Sequence, residues 1–107
     1  MDHISYSVNE KKVTVVLPEQ MDIQNSGEVR EEVSNLIQEK SAMDFSFDLS
    51  RVEYLDSVGL GVLVGFQRKI YGKGNDVVFL NPGRQVMRIF ETTQLEKVFN
   101  IVHNASL

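Results

Sequence analysis

Apolar and polar residues alternate over residues 3–8, with Ile4, Tyr6 and Val8 on one side and Ser5 and Ser7 on the other. A period of two is that of a β-strand. The same alternation recurs over residues 12–17 through Val13, Val15 and Leu17, and the polar run Asn9-Glu10-Lys11-Lys12 between them reads as a hairpin turn. Pro18 ends the second strand. From Asn25 to Lys40 the period changes: Val29, Val33, Leu36 and Ile37 fall at i, i+4, i+7 and i+8, one face of an amphipathic helix. Asn25 followed by Glu28 has the form of a capping box, and Glu31, Glu32 and Lys40 match the helix dipole. Phe45, Phe47 and Leu49 predict a third strand. Residues 58–71 predict a more apolar helix, with Val62, Leu63, Phe66 and Ile70 on one face and Leu60 and Val64 off it. The continuous run Val77-Val78-Phe79-Leu80 predicts a strand covered on both faces, ended by Asn81-Pro82-Gly83. Val86, Met87 and Phe90 predict a short helix, and Leu95, Val98 and Phe99 a last one.

The order is therefore β-β-α-β-α-β-α-α. It describes an α/β fold in which a mixed sheet of roughly four strands is packed with about four helices. A chain of 107 residues, 42% of them hydrophobic, suits one domain over residues 1–107. The net charge of −4 lacks the cationic footprint of direct nucleic-acid binding. No stretch reaches the roughly 20 apolar residues that membrane insertion needs. The N-terminus has no export signal, so a cytoplasmic location is expected. With no cysteine there is no disulfide, thiolate nucleophile or cysteine-ligated zinc.

Catalytic chemistry finds little support. His3 and His103 stand near opposite ends without metal-ligand spacing, and Glu28, Glu31, Glu32 and Glu39 read as a solvated helix face. Asp22, Asp48 and Asp56 fall at strand ends or loops, where nothing in the spacing brings them together for a metal. Gly59, Gly61 and Gly65 open the second helix, yet they match neither a phosphate-binding loop nor a dinucleotide fingerprint. No metal or cofactor is called for. Ser57, at the entrance to that helix, reads first as its N-cap. The same position has a second use, because a hydroxyl on a helix N-terminus is a rigidly mounted phosphate acceptor.

The stretch Phe47-Asp48-Leu49-Ser50 through Asp56-Ser57-Val58-Gly59-Leu60-Gly61 resembles the signature of STAS domains, and more narrowly that of bacterial anti-sigma factor antagonists. Glu19-Gln20-Met21-Asp22 and the segment from Arg88 to Ile101 extend the resemblance over nearly the whole chain. The resemblance implies partner switching in transcription regulation. The unphosphorylated chain would bind an anti-sigma factor that is also a serine-protein kinase, releasing the sigma factor. Phosphorylation of Ser57 would abolish binding until a serine phosphatase restores it. The chain would thus be a substrate and not an enzyme. The implied partner-binding residues are Asp22, Asn25, Asp56, Ser57, Val58, Gly59 and Leu60. Two departures stand out: Glu19-Gln20 replaces the common Gly-Glu, and Val58 replaces a small residue. Oligomeric state is left open.

Two other classes compete. One is a non-switching STAS scaffold subunit of a membrane-associated transport or signalling complex, marked by insensitivity to Ser57→Asp. The other is a weak nucleotide hydrolase using Asp22 and Asp56, disfavoured by the lack of a lysine-bearing phosphate loop.

Overall fold

The computed structural model describes residues 4–106, so His3 lies outside the described residues. The strands are β1 (Ser5–Asn9), β2 (Lys12–Val16), β3 (Gln20–Met21), β4 (Asp44–Asp48), β5 (Tyr54–Leu55), β6 (Val77–Leu80) and β7 (Ile101–Val102). The helices are α1 (Ser26–Glu39), α2 (Ser57–Gly72) and α3 (Arg84–Thr92), followed by a single 3-10 turn at Leu95–Lys97. β1 and β2 form the expected antiparallel hairpin, and Glu10 takes φ 54° in its two-residue turn. β2, β4, β6 and β7 then pair in parallel, giving a five-stranded mixed sheet in the order β1-β2-β4-β6-β7. β3 and β5 form a separate parallel ladder.

The α/β class and the mixed sheet agree with the periodicity, while the element count needs correcting. The main sheet has five strands among the described residues, where about four were expected, and a two-stranded ladder is added. The last expected helix is only a 3-10 turn, entered through Gln94 at φ 62°. A left-handed residue at that point prevents α3 from running on.

Strand alternation sends Val13 and Val15, Phe45 and Phe47, and Val77 and Phe79 to one face, where the register sets them side by side and all are buried. α1 adds Val29, Val33, Leu36 and Ile37 to this core, and α2 adds Val62, Leu63, Phe66 and Ile70. Aromatic rings run through it without a break. Phe45 stacks on Phe47, Phe47 on both Phe66 and Phe79, and Phe79 meets Phe99, which takes Phe90 edge-on at 5.2 Å. The other sheet face is different. Val78 is only half-buried and, with Lys12, Thr14 and Leu80, lines an open cleft. β6 is therefore not covered on both faces as its apolar run suggested. β1, an edge strand, is exposed along its length.

Candidate functional site

β5 delivers the chain to α2 alongside β3. Gln20 pairs with Tyr54 and Met21 with Leu55, and the Asp56 N–H donates to the Met21 carbonyl at 3.2 Å. Asp56, with extended backbone, is the N-cap of α2: its Oδ1 accepts the Gly59 N–H at 2.9 Å. Its Oδ2 accepts the Ile23 N–H at 3.0 Å, reaching across to the loop after β3. One carboxylate thus ties the first turn of α2 to that loop. The expectation that Ser57 caps the helix is corrected, because a carboxylate with two free oxygens reaches both amides. Ser57 becomes the first helical residue, and it is exposed.

Gly59 is what lets the helix sit so close. A Cβ there would overlap the Met21 carbonyl oxygen and lie 2.7 Å from its carbon. Only a residue without a side chain allows this approach.

The loop after β3 is held by its own side chains. Asp22 Oδ1 accepts the Gln24 N–H at 2.9 Å and the Asn25 N–H at 3.3 Å. Asn25 Oδ1 accepts the Asp22 N–H at 3.0 Å while its Nδ2 donates to the Gln20 carbonyl at 2.6 Å. Such side-chain-to-backbone bonds fix tight turns. They also correct the capping box: Asn25 precedes α1 but its side chain makes no cap bond. That side chain is spent on the loop.

The sequence-derived residues gather at one end of the molecule in different roles. Asp22 and Gly59 are buried, Asn25, Asp56 and Leu60 are half-buried, and Ser57 and Val58 are exposed. Sequence reasoning missed two neighbours. Ile23, 74% exposed, gives its N–H to the Asp56 staple, and Tyr54, 57% exposed, lies two residues before it. An isoleucine between Asp22 and Gln24 was the available signal. Asp48 is elsewhere, its Oδ1 holding the Ser50 N–H at 2.9 Å. His103 lines a hollow with Ser50 and Asn81. Among the described residues, no three acidic or histidine side chains are grouped to hold a metal ion, and no helix is long and apolar enough to cross a membrane. The site offers a rigidly mounted hydroxyl amid exposed apolar side chains.

Comparison with known proteins bears on the family and the fold. The family model for the STAS domain matches residues 3–106. The anti-sigma-B factor antagonist of Bacillus subtilis is 26% identical over 99 residues, covering 92% of this chain and 89% of that protein. The crystal structure of an anti-sigma factor antagonist from Mycobacterium paratuberculosis superposes with a TM-score of 0.86 at 22% identity, covering 98% of this chain and 87% of the other. The phosphorylated form of the Bacillus cell fate determinant SpoIIAA superposes with a TM-score of 0.75 at 19% identity, covering 97% and 93%.

Proposed function

The chain belongs to the STAS domain family, and on that premise we propose that it is an anti-sigma factor antagonist switched at Ser57. It is a cytoplasmic binding protein. Its unphosphorylated form occupies an anti-sigma factor with serine-kinase activity and so releases a sigma factor. The kinase transfers the γ-phosphoryl of ATP to Ser57 Oγ, the complex separates, and a serine phosphatase returns the chain to its binding form. Relatives named as anti-sigma factor antagonists support the reading, and a protein of the same fold exists in a phosphorylated form.

The observation that carries it is the position of Ser57. Asp56 takes over the cap, so Ser57 is exposed on the first turn of α2 with no capping bond to make among the described residues, beside the exposed Val58. A phosphate there adds about −1.5 to −2 charges. In solution the helix N-terminus tolerates that charge. Under a docked partner it becomes an unpaired charge in a desolvated contact, which is expensive. A cost of about 2.7 kcal/mol already weakens binding a hundredfold.

The test is calorimetric titration of the chain with the anti-sigma factor kinase of its own genome, with and without ATP. Transfer of phosphate to Ser57, mapped by mass spectrometry, and loss of the complex are expected. Ser57→Ala should bind in both conditions, and Ser57→Asp should lose about a hundredfold in affinity. A complex indifferent to ATP and to Ser57→Asp would instead mark a scaffold subunit.

A further inference from the structure

α1 and α2 run side by side over the same core, and their outer surfaces leave a groove of about 320 Å³ between them. Its apolar lining is Val58, Val62 and Phe66 of α2. Its charged lining is Arg30 of α1 and Lys69 of α2. Gly61 and Gly65 complete the wall, and a Cβ added at either meets nothing within 4 Å. Packing inside this chain therefore does not require them, in contrast to Gly59, although each lowers helix propensity by about 1 kcal/mol relative to alanine. The two cations differ in state. Lys69 Nζ donates to Ser34 Oγ at 2.7 Å, bridging the helices, while Arg30 has no hydrogen-bond or ion-pair partner among the described residues.

Two observations choose the occupant. The groove begins at Val58, which is 42% exposed beside Ser57, so it is continuous with the docking surface proposed above. Its charge is cationic on a chain whose net charge is −4. We propose that this groove seats an acidic segment of the same partner, with apolar side chains on the exposed Val58 and over the open Gly61 turn, beneath which Val62 and Phe66 are buried, and carboxylates on Arg30 and Lys69. The proposal rests on the antagonist reading and extends it: the partner grips the α1–α2 flank as well as the Ser57 turn. Arginine in an open groove can take a carboxylate through two parallel N–H donors, which fixes orientation as well as adding attraction.

The experiment measures binding of the anti-sigma factor kinase to the wild-type chain, Arg30→Glu, Gly61→Leu and Ser57→Asp, at about 0.1 M and about 1 M salt, where the screening length falls from about 10 Å to about 3 Å. Circular dichroism checks the fold of each. Gly61→Leu faces open space and gains helix propensity, so it stays folded. Arg30→Glu should weaken binding at least tenfold at low salt and less at high salt. Gly61→Leu should weaken it at least tenfold at both. In ¹⁵N-labelled chain, the amides of Arg30, Gly61, Gly65 and Lys69 should shift on adding kinase together with those of residues 57–59. If Arg30→Glu and Gly61→Leu bind like wild type while Ser57→Asp does not, the groove proposal falls and the antagonist reading stands. If the kinase does not bind wild type, or Ser57→Asp changes nothing, the antagonist reading falls and the groove proposal with it. Wild-type self-association that Gly61→Leu abolishes would assign the groove to a second copy and overturn the proposal.

Discussion

Asp56 divides its two oxygens between two elements, and the consequence for substitution is specific. Asp56→Ala removes the acceptor for Gly59 and the acceptor for Ile23 together. The loss of an N-cap costs about 1–2 kcal/mol. We expect the urea midpoint to fall accordingly, with amide hydrogen exchange quickening at Ile23 and Gly59 ahead of the core. Unchanged exchange at Ile23 would mean that the loop is held without the staple. Glycines on the same helix should respond with opposite signs. Gly59→Ala drives a methyl into the Met21 carbonyl and should destabilise the chain by about 1–3 kcal/mol, the usual cost of overpacking. Gly61→Ala has open space and should stabilise it by up to about 1 kcal/mol. Paired denaturation curves decide this, and equal shifts of one sign would contradict the close approach of α2 to β3.

Periodicity found α1, α2 and the hairpin because each is long enough for its apolar face to repeat. It missed β3, β5 and β7, each two residues long, where a period of two completes only one cycle. Those short strands nevertheless place the site, since the β3–β5 ladder sets Met21 beside the start of α2. The spacing of Asp56 and Ser57 could not reveal which would cap the helix, because both are favoured there. The extended backbone of Asp56 and the bond its Oδ1 takes from the Gly59 N–H separate them. Ile23 and Tyr54 escaped notice for a related reason: a lone apolar residue in a polar link carries no periodicity. The C-terminal segment was read as a helix by its apolar spacing, yet a side-chain contact holds it in place. Gln67, buried on α2, donates through Nε2 to the Val98 carbonyl at 2.9 Å. Gln67→Leu keeps the bulk and loses the bond. A cost of about 1 kcal/mol is expected, with hydrogen exchange rising around the 3-10 turn before the rest of the molecule.

Across the whole molecule, the aromatic core and the proposed switch residue are kept apart. All six phenylalanines belong to one chain of ring contacts running from β4 through α2 and β6 to Phe99 and α3. Ser57 lies outside it on an exposed turn. Phe47 touches three other rings, so Phe47→Ala should cost about 3–5 kcal/mol. At about 4–8 °C per kcal/mol for a domain of this size, the melting temperature should fall by at least about 12 °C. Ser57→Asp adds a carboxylate at an exposed helix N-terminus, where negative charge is favoured, and should stay within about 0.5 kcal/mol of wild type. Its melting temperature should then move by no more than about 4 °C. The contrast matters because a switch must change what the surface binds without changing whether the chain folds. If Ser57→Asp melted as low as Phe47→Ala, any loss of partner binding would reflect unfolding, and Ser57 would be part of the scaffold instead of its signal.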